Sequence, residues 1–197
     1  VTGRAGGDGV GGARAELVGQ FATAAAAAES GKGVARLTEG EGQLGEDGGR
    51  PALRFERRLG HPVQDVWRAL TEPTQLELWF PAQIEMERRV GGRMTFVFMT
   101  NDIVPPPGTV TAVESPQLFA FDWGNDHLRF ELEAVGDGCV LIFSHIFADR
   151  SEAAKSAAGW HVCLDALEAT LRDELPAPPR DRWDGLFGEY GRAFGSG

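Results

Sequence analysis

The chain has 197 residues, 42% of them hydrophobic, and a formal charge of −10. That length suits one compact domain with a tail rather than two ordinary domains. The acidic balance repels phosphate backbones and anionic lipid surfaces, so neither nucleic acid nor a membrane is an expected partner.

Fourteen of the 27 glycines precede residue 51. Residues 1–42 accordingly read as a Gly/Ala-rich tail that cannot bury enough apolar surface to offset its ordering entropy. Within it, Ala13–Glu29 is alanine-rich and predicts at most a marginal helix. Residues 43–175 read as the domain, and 176–197 as a proline-rich linker with a short amphipathic helix. The two cysteines, Cys139 and Cys163, are too few for a disulfide-stapled secreted fold. No apolar run approaches the roughly 18 residues a membrane span needs. Ala24–Ala28 is too short for a signal core. A cytoplasmic location is expected.

The domain opens with a hairpin turning at Glu46–Gly49, and Leu53–Leu59 alternates as a half-buried strand. Pro62 is expected at the first position of a helix whose apolar stripe is Val63, Val66, Trp67 and Leu70. Pro73 ends it and starts a second, short helix carrying Leu76 and Trp79, with Thr71 as its expected cap. From Gln83 to Phe147 six antiparallel strands follow, separated by turns at Gly91–Gly92, Pro105–Gly108, Ser115–Gln117, Gly124–Asp126 and Gly136–Gly138. Met94, Phe96 and Phe98 share one face, as do Leu128, Phe130 and Leu132, and Leu141, Phe143, His145 and Phe147. A long helix closes the domain. Asp149 and Glu152 resemble a capping box, and Ala153, Ala157, Trp160, Leu164, Leu167 and Leu171 form its apolar stripe. Trp183, Leu186, Phe187, Tyr190 and Phe194 then recur at helical spacing.

The motifs LRFERRL (Leu53–Leu59), HPVQDVWRALTEP (His61–Pro73), WF (Trp79–Phe80), VGGRMTF (Val90–Phe96), GTVTAVESPQLFAFDW (Gly108–Trp123) and GWHVCLDALEATL (Gly159–Leu171) occur in an informative order. In order and spacing the chain resembles the bacterial AHSA1-like (activator of Hsp90 ATPase homologue 1-like) branch of the START/Bet v 1-like helix-grip superfamily. The resemblance implies an α+β fold in which a curved antiparallel sheet wraps a long C-terminal helix. It also implies a cavity between the two, a feature the superfamily uses for unrelated ligands and chemistries.

The expected ligand-binding residues are Trp79, Phe96, Phe98, Trp123, Phe130, Phe143, His145, Trp160, His161 and Leu164. The rings suit a flat or aliphatic ligand; the plain alternative is that they pack as core. His145, between Phe143 and Phe147, is either a polar anchor or general base, or a core histidine bonded to a carbonyl or helix side chain. His161 and Asp165, four apart on the long helix, favour a local salt bridge on its shoulder. Cys163 points about 200° from His161, which disfavours a metal site. The acidic residues Asp122, Asp126, Glu131 and Glu133 read as outward-facing or as turn residues.

No phosphate loop, dinucleotide fingerprint, nucleophile elbow or paired-cysteine spacing occurs. No catalytic residue, metal or cofactor is therefore expected. The favoured function is an apolar small-molecule binding protein, with a homodimer compatible with the sequence. The alternatives are a cyclase- or hydratase-type enzyme using the same cavity, and a chaperone-linked interaction module. An Hsp90-type partner is the least favoured, because this chain carries a glycine-rich tail where the eukaryotic activators carry another domain.

Overall fold

A computed structural model of the chain describes residues 40–98, 105–176 and 179–195. The tail reading, including the Ala13–Glu29 helix, falls almost wholly outside the described residues. The first strands, β1 (Gln43–Asp47) and β2 (Arg50–Leu59), form a hairpin. Gly48 and Gly49 both take positive φ there (57° and 80°), as a two-residue loop matching the strand twist requires. Helices α1 (Val63–Thr71) and α2 (Pro73–Trp79) follow. Strands β3 (Gln83–Met86), β4 (Arg93–Val97), β5 (Gly108–Glu114), β6 (Leu118–Trp123), β7 (Asp126–Val135) and β8 (Gly138–Ile146) come next. A 3-10 turn (Arg150–Glu152) leads into the long helix α3 (Ala153–Leu171), and α4 (Pro179–Phe194) is the last element among the described residues.

All eight strands join one antiparallel sheet in the order β1-β2-β8-β7-β6-β5-β4-β3. Side chains alternate across the pleat, so Phe55, Phe143 and Phe130 line up on the inner face through the pairs Phe55–Phe143 and Phe130–Phe143. Leu53, Met94, Phe119, Leu128 and Leu141 share that buried layer. The sheet grips α3, and α1 and α2 cover one end of the interface. This is the helix-grip arrangement.

Three local expectations are corrected. Pro62 is the N-cap of α1 and not its first helical residue. Thr71 does not cap α2; its hydroxyl donates to the Trp67 carbonyl within α1 at 2.8 Å, while Glu72 holds the cap position and Pro73 the first turn. Pro62 has extended ψ (147°), which keeps it outside the helix, and Thr71, still inside α1, has its side chain committed to that helix. The Asp149–Glu152 box is half formed. Asp149 accepts from the Ser151 N–H at 2.9 Å, but Glu152 turns to Lys155 at 3.3 Å and does not reach back.

Candidate functional site

Inside the grip the expected rings lie against one another. Phe143 meets Trp160 at 4.3 Å between ring centroids and Phe130 at 4.6 Å, while Phe96 stacks on Trp123 at 4.3 Å and 22°. Phe98 extends that stack at 6.2 Å. Trp123 stands at the rim, where its indole N–H donates to the Pro106 carbonyl at 3.0 Å and ties the polyproline loop to β6. Beneath α1 and α2 a void of about 10 Å³ is lined by Leu70, Leu76, Trp79, Met94, Phe121 and Phe130, among other apolar side chains. That is room for about one water, and the site offers no polar partner to hold one. Trp79 and Phe130 border the void; Phe96, Phe98, Trp123, Phe143, His145, Trp160 and Leu164 do not. The Trp79 indole is fixed by donating to the Ala69 carbonyl at 2.9 Å.

His145 is buried at the inner face of β8 and uses both ring nitrogens. The Trp160 indole N–H donates to Nδ1 at 3.2 Å, and Nε2 lies 2.9 Å from an Asp126 carboxylate oxygen. An indole nitrogen can only donate, so Nδ1 is the acceptor, and the neutral ring carries its proton on Nε2. That proton goes to Asp126, whose side chain is 35% exposed. A carboxylate, an imidazole and an indole thus form a chain from the β6–β7 turn into the ring cluster. Register makes it possible: Leu128 pairs with His145, and Asp126 lies two residues earlier on the same face. The turn is pinned because the Arg50 guanidinium donates to the Asn125 carbonyl.

His161, one residue after Trp160, points elsewhere. A step of about 100° around the helix carries it away from the His145 side and toward α4. There Nδ1 lies 2.8 Å from the Tyr190 hydroxyl, which also accepts the Gly42 N–H at 2.8 Å. Burial pushes the Tyr190 phenol up to about 12, so it keeps its proton beside Nδ1, while the Arg182 guanidinium lies 3.4 Å from Nε2. The His161 imidazole is lowered to about 4, chiefly by burial, with Arg57 and Arg182 adding to the shift and the Asp165 and Glu41 carboxylates opposing it. The expected pairing with Asp165 is present but loose, at 3.6 Å. Asp165 instead takes Arg57 from β2 at 3.2 Å and Arg182 from α4 at 2.9 Å, and Arg57 reaches Glu168 at 3.4 Å. At Gly42 a Cβ would lie 2.4 Å from the Phe55 ring, so only glycine brings that N–H to Tyr190. Leu164 is fully buried in α3, and both cysteines are buried free thiols, with burial raising Cys139. Among the described residues no cluster of potential ligands could hold a metal ion, and no helix is long and apolar enough to cross a membrane.

The profile of the family described as "Activator of Hsp90 ATPase homolog 1-like protein" matches residues 60–172, more than half of the chain. The chain belongs to this family. The solved structures agree with that membership. CalU16 from Micromonospora echinospora is 25% identical, with a TM-score of 0.65 over 79% of this chain and 96% of its own. The conserved protein of unknown function EF2215 from Enterococcus faecalis is 24% identical, with a TM-score of 0.65 over 77% and 88%. BPP1335 from Bordetella parapertussis is 25% identical, with a TM-score of 0.61 over 85% and 92%. No curated protein matches the sequence significantly.

For this AHSA1-like chain, Asp126 and Tyr190 carry the polar chemistry that sequence reasoning overlooked. Parity was the available signal for Asp126, which shares the inner face with Leu128, Phe130 and Leu132. Its place beside Gly124–Asn125 makes it look like a turn residue. Nothing local marks Tyr190 as the partner of His161, because the two are joined only by the packing of α4 on α3. The His161–Tyr190 cluster also uses Gly42, Arg57 and Arg182, so four of its members lie outside the span matched by the family profile.

Proposed function

We propose that the chain is a small-molecule binding protein whose ligand is taken up between the sheet and α3. The AHSA1-like family and the helix-grip fold support a hydrophobic ligand-binding interior in general. The observation that carries the finer reading is the Asp126–His145–Trp160 chain. It brings a hydrogen-bonding imidazole, with its orientation set from the rim, into an otherwise aromatic interior. Uptake between these rings then displaces them from the contacts they make with one another. Trp79, Phe96, Phe98, Trp123, Phe130, Phe143, Trp160 and Leu164 would make the apolar contacts, and His145 the polar one. His161 has no part in this reading, since it faces α4.

An enzymatic reading draws on the same Asp126–His145 pair, because a carboxylate-backed imidazole is also how a general base is oriented. Binding to an Hsp90-type chaperone draws only on the family's description. Native mass spectrometry of freshly purified protein, followed by analysis of any released compound, tests the carrier reading. A stoichiometric mass excess is the expected result. A bare polypeptide mass that stays bare after incubation with a panel of apolar aromatics would sink it. Conversion of the released compound by the protein would replace it with the enzymatic reading.

A further inference from the structure

The inner end of the Asp126–His145–Trp160 chain has a definite polarity. Trp160 Nε1–H is an obligate donor, and His145 Nδ1, in the tautomer set by its two partners, is an obligate acceptor. They are 3.2 Å apart, at the long end for a hydrogen bond, with their rings nearly perpendicular at 70°. Phe143 and Phe130 flank Trp160 with centroids at 4.3 Å and 6.3 Å, and Phe147 lies 5.1 Å from the imidazole.

Only some functional groups complement a donor and an acceptor side by side in a dry, aromatic place. A ketone or ether oxygen satisfies the indole and leaves the imidazole lone pair unpaired, which is costly when buried. An ammonium group does the reverse. A carboxylate or phosphate also meets the Asp126 carboxylate on the far side of the imidazole, and the chain carries a net charge of −10. A hydroxyl answers both partners, accepting from the indole and donating to Nδ1. The flanking rings favour a flat apolar body through offset and edge contacts.

We infer, building on the ligand-binding reading above, that the interior takes a neutral aromatic ligand with a hydroxyl, seated between Trp160 Nε1 and His145 Nδ1. Asp126 is then a positioning residue: by accepting the Nε2 proton it keeps Nδ1 an acceptor. The ligand parts Trp160 from His145. Trp160 has somewhere to yield, because Phe80 and Phe130, which pack on it at 6.0 Å and 6.3 Å, both border the void beneath α1 and α2.

Calorimetric titration of the full chain with 2-naphthol, 2-methoxynaphthalene and naphthalene tests this. 2-Naphthol should bind at least about tenfold more tightly than its methyl ether, the size of one or two net hydrogen bonds. The preference should fall to near unity in Trp160→Phe and in His145→Phe, with naphthalene binding retained, and Asp126→Ala should reduce it without touching naphthalene. On the wild-type chain the Trp160 indole N–H resonance should move with 2-naphthol and stay with naphthalene, a readout that needs no variant to fold. Equal binding of naphthol and ether overturns the hydroxyl seat and leaves the apolar interior standing. A preference that survives both ring variants, or a Trp160 resonance unmoved by naphthol, overturns it as well. No binding of any of the three overturns both the seat and the ligand-binding reading.

Discussion

Tyr190 is the residue on which the polar side of α3 depends. Its hydroxyl is buried, accepts the Gly42 N–H and bonds His161 Nδ1, so it closes two buried hydrogen bonds. Tyr190→Phe keeps the ring and leaves a buried amide and an imidazole nitrogen unmatched. Urea unfolding should show a loss of about 1–3 kcal/mol, the cost of stranding buried polar groups; an unchanged midpoint would refute the network. His161 adds a pH dependence of definite sign. The folded chain takes up its proton near 4, whereas the unfolded chain does so near 6.5. Between those values the unfolded state binds more protons, so the neutral-histidine contribution is full above about 6.5 and lost as pH falls toward 4. Against His161→Gln, which does not titrate, the wild type should lose stability on the order of 3 kcal/mol from pH 7 to pH 4. Denaturant midpoints of the two proteins at both pH values measure it, since carboxylate titrations common to both cancel.

At the scale of elements, α4 explains why α3 is buried almost all round. The stripe of Ala153, Ala157, Trp160, Leu164 and Leu167 turns to the sheet, as its spacing predicts. Ala154, Ala158, Val162, Cys163 and Ala169 are buried as well. Trp183, Leu186, Tyr190 and Phe194 pack against α3 from the other side, with Phe187 stacked on Trp183 at 5.0 Å and 11°. The helix is also tied by Arg182 to Asp165. Leu186→Ala, a truncation in the middle of this seam, should cost about 2–5 kcal/mol in a chemical unfolding experiment. A change below about 0.5 kcal/mol would mean that α4 is only loosely attached. The same element marks the limit of what the sequence discloses. The inner-face parities of β4, β7 and β8 are legible because alternation on a half-buried strand is local. That Phe143 and His145 meet Trp160 follows from placing that face against the α3 stripe. The seating of α4 is not legible, because an amphipathic helix says that it packs and not on what. Asp126 lies between these cases: its parity is readable, but the turn beside it masks the pairing with His145.

For the molecule as a whole, the telling feature is an interior of aromatic rings in mutual contact beside an unfilled space. Phe143 on Trp160 at 4.3 Å joins the sheet to α3, and Phe96–Trp123 and Phe130–Phe143 at 4.3 Å and 4.6 Å pack neighbouring strands beside it. A void of about 10 Å³ at the α1–α2 end is a place where packing is incomplete. If the grip accommodates ligands by letting rings yield, space added at the void should be usable by a guest. Met94 tests this. It is fully buried, borders the void, and has an unbranched side chain whose removal leaves the backbone pairing of β4 with β3 intact. Met94→Ala should lose about 2–5 kcal/mol from the enlarged cavity. Its lining is apolar, so the new space stays dry and admits benzene. Saturating benzene should therefore raise the melting temperature of Met94→Ala by several degrees and that of the wild type by much less, as binding to the folded state alone requires. Equal shifts in the two proteins would mean that benzene binds outside this space. No shift in the variant would mean that the interior has collapsed around the deletion, and that the grip adjusts by closing up rather than by opening.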